Sequence, residues 1–146
     1  MNGGSSIVVE RKIAASAATV YSYLTESDAW AKWQGVTASI EPTAGGLFRM
    51  VMGNGMVALG RFVELQENQR VVFTWGWVDH PGVPPGSSTV EIELVTDGSD
   101  TIVRLTHSGL PEDERPMHVM GWDHYLLRLV SVSEGADPGP DPGPGG

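Results

Sequence analysis

Two histidines offer most of the acid–base chemistry this chain has. His107 lies in TIVRLTHS (101–108), where strand alternation puts it on the same side as Val103 and Leu105. An imidazole on an apolar face can donate to a ligand carbonyl or act as a general base near neutral pH. His118 falls in a helical segment, on one stripe with Trp122, Tyr125, Leu126, Leu129 and Ser133 at 100° per residue, so it can approach His107. A structural reading of His107, hydrogen-bonded to a backbone group at a strand end, outweighs catalysis because no carboxylate is placed beside it. Two histidines without a carboxylate make a poor metal site, and no metal or cofactor is expected. With no cysteine there is no thiolate nucleophile. P-loop, GxGxxG, GxSxG and HExxH patterns are all missing. Ser108 has no base–acid pair to activate it. Glu91/Glu93 and Glu112/Asp113/Glu114 read as a solvated strand face and a helix start. This inventory leans away from an enzyme.

Binding chemistry is better supplied. In RVVFTWGWVDHPGVPPGSST (70–89), Val71, Phe73, Trp75 and Trp77 take one side of a strand, while Val72, Thr74, Gly76 and Val78 take the other. Phe48, Met50 and Met52 share a face by the same parity, and Trp30 and Trp33 share one face of a short helix. Facing Trp122, Tyr125 and Leu126, these side chains either fill a core or line a mostly apolar pocket with a few polar groups. Methionines would make such a wall adaptable. Arg49, Arg61 and Arg104 fall on the opposite parities, toward solvent. The proline loop VDHPGVPPG is either a lid over the pocket or a rigid connection.

The elements that must position these groups follow from pattern. SIVVERKI (6–13) reads as a strand. Ser16 caps a helix over AATVYSYLTE, and Ser27 caps a second, DAWAKWQ, which Gly35 ends. Strands follow over 36–42, 47–52, 56–67, 71–78, 88–96 and 101–108, with GNG (53–55) and DGSD (97–100) as turns. A long helix runs from about Glu112 to Glu134, its acidic start suited to the helix dipole. Gly121 on that helix predicts close approach of strands, and Asp123, His124 and Arg128 lie off the inward stripe. A sheet of this size needs the terminal helix to cover its apolar face, which makes an α+β fold with a curved antiparallel sheet wrapped around that helix.

The 146 residues predict one domain over 6–134, with 1–5 as a flexible start. Residues 135–146, GADPGPDPGPGG, lack anything apolar to bury and read as a disordered Gly/Pro/Asp tail. The net charge of −9, with two lysines and seven scattered arginines, excludes nucleic acid and anionic membrane surfaces as partners. No apolar run approaches the ~20 residues of a membrane span. A start without signal-peptide features and the lack of cysteine predict a cytoplasmic protein.

The order of ASAATVYSYLTESDAWAKW, EPTAGGLFRM, LGRFVELQENQRVVFTW, THSGLP (106–111) and GWDHYLLRL resembles the SRPBCC superfamily, which includes the START and birch-pollen-allergen-like proteins. Within it, the branch named for the activator of the heat-shock-protein-90 ATPase is the most similar. The resemblance covers about residues 6 to 133. It implies a helix-grip fold of about seven strands, two short helices after the first strand, and a cavity between sheet and terminal helix. A small hydrophobic or aromatic molecule held there is the implied partner. Trp33, Phe48, Met50, Met52, Phe73, Trp75, Trp77, His107, His118, Trp122, Tyr125 and Leu126 are the expected ligand-binding set. The alternatives are a polyketide cyclase or aromatase using His107, and a co-chaperone or other protein-interaction module. Leu127 and Met120, away from the inner stripe, leave room for a dimer contact, so the expected state is a monomer or weak homodimer.

Overall fold

A computed structural model describes residues 6–141 and 143–144. The expected flexible start, residues 1–5, lies outside them. The chain runs β1 (Ile7–Ile13), α1 (Ala17–Ser22), α2 (Ser27–Trp30), β2 (Thr37–Ile40), β3 (Leu47–Val51), β4 (Val57–Gln66), β5 (Arg70–Trp75), β6 (Ser88–Asp97), β7 (Asp100–Ser108), a 3₁₀ turn (Glu112–Glu114) and α3 (Arg115–Ser133). All seven strands pair antiparallel in one sheet, in the order β1-β7-β6-β5-β4-β3-β2. A β-bulge between Phe62 and Glu64 interrupts the β4–β5 ladder, the irregularity that bends a strand and lets a sheet curve. The sheet grips α3, as a helix-grip fold requires.

Alternation does most of the construction. Val90, Ile92 and Leu94 on β6 and Val103, Leu105 and His107 on β7 are buried, while Arg104 between them is exposed. Arg49 and Arg61 also face outward. The inward stripe of α3 carries His118, Trp122, Tyr125, Leu126 and Leu129 to the sheet.

Several boundaries differ from the sequence expectations for local reasons. Ser16 caps α1 as expected, accepting from the Thr19 amide at 3.2 Å. Ser27 does not cap α2: its hydroxyl accepts from the Ile40 amide at 3.1 Å, tying the helix to β2. That helix is one turn long rather than extending to Gln34. Gly35, at φ +74°, then redirects the chain into β2. Helix α3 starts after the acidic turn because Pro116 lacks an amide hydrogen and fits only a first turn.

Of the expected tail, residues 135–141 and 143–144 are described and lie against α3 and the turn after α2, while residues 142, 145 and 146 lie outside the described residues. Arg128, expected off the inward stripe, is buried beneath this segment and donates to the carbonyls of Trp33 at 3.1 Å and Gly139 at 2.7 Å. Asp141 accepts from His124 at 2.7 Å and from the Gly35 amide at 3.3 Å. Composition hid this because the segment is held through its carbonyls and one carboxylate, not through apolar burial. Gly121 likewise faces this segment rather than a strand: Pro144 Cγ lies 4.0 Å from where its Cβ would be.

Candidate functional site

One strand face divides the interior. Phe73 is enclosed by aromatic rings, stacked on Phe48 at 4.3 Å and edge-on to Trp30 at 5.6 Å. Trp30 and Trp33 stack at 5.0 Å, and every one of these rings is fully buried. Further along the same face the packing opens. Trp75 meets Trp77 edge-on at 5.2 Å and Trp122 at 5.2 Å, at the wall of a hollow of about 230 Å³.

Local backbone places the two indoles. β5 stops at Trp75, yet the chain keeps pairing with β4: the Leu59 amide donates to Gly76 O at 2.9 Å, and Ala58 bridges Trp77. Gly76 permits this because the proline loop crosses directly above it; a Cβ there would sit 1.9 Å from Pro84 O. The loop itself is fixed. Val83 is buried, its carbonyl accepts from the Trp77 amide at 2.7 Å, and His80 pairs with Glu114 at 2.9 Å. Residues 78–87 do not line the hollow. Gly143 and Pro144 of the C-terminal segment do line it.

Of the expected site residues, Met52, Trp75, Trp77, His118, Trp122 and Tyr125 meet around the hollow. Trp33, Phe48, Met50, Phe73, His107 and Leu126 lie in the packed interior and are not part of its wall. Gln34, Asn54, Met56 and Met117 line it without having been foreseen. Gln34 had no detectable signal, since it sits in what reads as a surface helix. Met56, just past the GNG turn, was recognisable as an apolar residue beside a hairpin.

The histidines are engaged with the protein. His107 Nδ1 accepts from Trp122 Nε1 at 2.9 Å, so its Nε2–H donates to Ser88 Oγ at 2.8 Å, and that hydroxyl donates to Trp75 O at 2.9 Å. Burial first, and the nearby His118 second, push the His107 pKa down to about 3. It is a neutral structural imidazole. His118 Nε2 accepts from Trp77 Nε1 at 3.0 Å and its Nδ1–H donates to Glu114 O at 2.7 Å. Burial lowers its pKa too, against the raising effect of that carbonyl. Neither ring has a nitrogen left for acid–base work. Burial, helped by Asp141, pushes the Tyr125 hydroxyl up to about 12, so it stays a phenol; it contacts Met52 Sδ at 3.7 Å.

Among the described residues, no group of three or more His, Asp or Glu side chains is placed to hold a metal ion. No described helix is long and apolar enough to cross a membrane. A larger recess of about 560 Å³ lies between α3 and the C-terminal segment; of the polar side chains that line it, Arg128 and Asp141 bond to the protein itself.

A curved sheet gripping one helix, with a small hollow beside the helix, defines a helix-grip protein of the SRPBCC type, a fold generally associated with hydrophobic-ligand binding. Residues 14–134 match the family model described as activator of Hsp90 ATPase homolog 1-like protein, and the chain belongs to that family. The AHSA1-like protein RHE_CH02687 from Rhizobium etli is 42% identical, with 94% of this chain and 88% of that one covered at a TM-score of 0.71. Protein MLL2253 from Mesorhizobium loti shares the fold at 23% identity, 88% and 96% coverage and a TM-score of 0.79. The Aha1 dimer from Colwellia psychrerythraea does so at 23% identity, 90% and 97% coverage and a TM-score of 0.77. No curated protein matches the chain.

Proposed function

We propose that the protein binds a small aromatic or hydrophobic molecule in the hollow between Trp75, Trp77 and Trp122, as a carrier or sequestering module rather than a catalyst. The observation that carries this is the contrast within one strand face: aromatic packing is complete around Phe73 and incomplete around Trp75. Protein interiors are close-packed, so a space of this size beside three indoles is unlike an ordinary core. At about 230 Å³ it lies below the ~300–1,000 Å³ of drug-sized sites, which favours a guest of one or two rings. The cyclase-like alternative loses its best residue, because both nitrogens of His107 are engaged. Calorimetric titration with indane, a two-ring hydrocarbon, tests the reading. Saturable one-site binding is expected; no heat and no bound species by native mass spectrometry would remove it.

A second reading, a protein-binding role, is favoured by the family's description and by the outer face of α3. There Met120 and Leu127 are 52% and 53% exposed along one side. A self-association or partner surface on this stripe is compatible with the hollow. Sedimentation of the wild type against Leu127→Glu tests it: a dimer lost in the variant supports it, and a monomer at all concentrations argues against self-association.

A further inference from the structure

The five tryptophans differ in one respect. Trp30 donates its indole N–H to Gln34 Oε1 at 2.8 Å, Trp33 to Tyr23 O at 2.9 Å, Trp77 to His118 Nε2 at 3.0 Å and Trp122 to His107 Nδ1 at 2.9 Å. The Trp75 indole N–H, on a side chain only 2% exposed, has no partner among the described residues. Gln34 repeats the pattern. It is fully buried, its Oε1 is fixed as the acceptor for Trp30, and its Nε2 has no partner among the described residues. Both residues line the hollow.

A buried donor left unpaired is costly, and such groups in folded proteins are normally matched. Here both belong to residues that line one hollow, the nitrogens themselves lying beneath its surface, and the remaining lining is largely apolar. We propose that the guest carries an uncharged oxygen acceptor, a carbonyl on an aromatic frame, and that Trp75 Nε1–H and Gln34 Nε2–H are the donors that read it. This rests on the hollow being a binding site. A carboxylate is the poorer match, because no lysine or arginine lines the space and both nearby histidines are held neutral by their bonding. The specificity groups are therefore an indole and an amide, and not the histidine that strand parity singles out.

A matched pair of probes tests this: indane, and 1-indanone, which adds one carbonyl oxygen to the same frame. In a purely apolar hollow the ketone binds more weakly than the hydrocarbon, because its oxygen must leave water unrewarded. The proposal predicts the reverse, 1-indanone tighter by at least about tenfold, the size of one well-made buried hydrogen bond. In ¹⁵N spectra of the wild type, the Trp75 Nε1–H resonance should move downfield with 1-indanone and far less with indane. Trp75→Phe should lose the ketone preference, read as the ratio of the two affinities measured on that same variant; should it fail to fold, the wild-type resonance decides. Indane binding as tightly as the ketone, or an unmoved Trp75 N–H on ketone binding, overturns the inference and leaves the hollow as a binding site. Binding of neither probe removes the function reading itself, and this inference with it.

Discussion

The two ends of the β5 face have the same chemistry and opposite packing. Around Phe73, rings from α2, β3 and β4 close on one another without a polar group to satisfy except at the indole edges, which reach Gln34 and Tyr23. Around Trp75, rings from β5, from the segment just after it and from α3 leave a hollow, and imidazoles serve as fixed acceptors for the Trp77 and Trp122 N–H groups. The filled end holds the sheet to the short helices. The open end trades part of that packing for a space that can take a guest. A protein using all its aromatic residues for stability would have no reason to leave Trp75 at the edge of a void with its N–H unmatched.

The largest effect should come from acid, which acts on the boundary between the two ends. His107 has a folded pKa of about 3 against an ordinary 6.5, so the unfolded chain takes up the proton first. Its contribution is intact above pH 6.5 and is lost as pH falls from 6.5 toward 3, by about 5 kcal/mol at the acid limit from ~1.4 kcal/mol per pH unit. His118, also lowered, adds in the same direction. Urea unfolding across that range measures the slope, and His107→Asn should flatten it. A slope unchanged in that variant would show that His107 is not buried neutral.

Next in size, Phe73→Ala should cost ~3–5 kcal/mol, since it empties a site enclosed by rings. Denaturation of that variant reads the filled end directly. A loss below about 1 kcal/mol would mean that end is loosely packed and that the contrast fails. Asp141→Asn should cost only about 1 kcal/mol, the scale of one hydrogen-bonded contact, by weakening the pairing with His124. Faster hydrogen exchange at the Gly35 amide, which donates to Asp141, is the local signature. Unchanged exchange would show that the C-terminal segment is not held there. Smallest for stability is Met56→Trp at the open end, within about 1 kcal/mol because that residue is part-exposed. The same change should weaken indane binding at least about tenfold by occupying the hollow. A variant that binds indane normally would place the site elsewhere.

Much of this contrast was legible in the sequence, and for definite reasons. Period-two alternation over 71–77 and 101–107 set Phe73, Trp75 and His107 inward, and the 3.6-residue stripe found Trp122 and Tyr125. Those patterns report which way a side chain points, not whether its neighbours reach it. Phe48 and Met50 therefore looked as suited to a pocket as Met52, although only Met52 reaches the hollow. The sequence also could not show where donors end. His107 looked like the polar anchor because it is titratable; its partners, Trp122 and Ser88, come from other elements. Gln34 was not singled out, and Arg128 was placed off the inward stripe, because each is buried by contacts with backbone or side chains brought in by the fold. Composition measures apolar burial and is blind to carbonyls gathered by one arginine, so it does not show the contacts that Arg128 makes with Pro138 and Gly139.

Methionine methyl groups sample every part of this comparison. Met50 lies in the filled end, Met52, Met56 and Met117 line the hollow, and Met120 is on the outer face of α3. In a titration of ¹³C-methyl-labelled protein with indane, the account predicts that the Met52, Met56 and Met117 signals shift together along one saturable curve while Met50 and Met120 stay still. Shifts led by Met50 or Met120, or no shifts at all, would contradict a binding hollow beside Trp75.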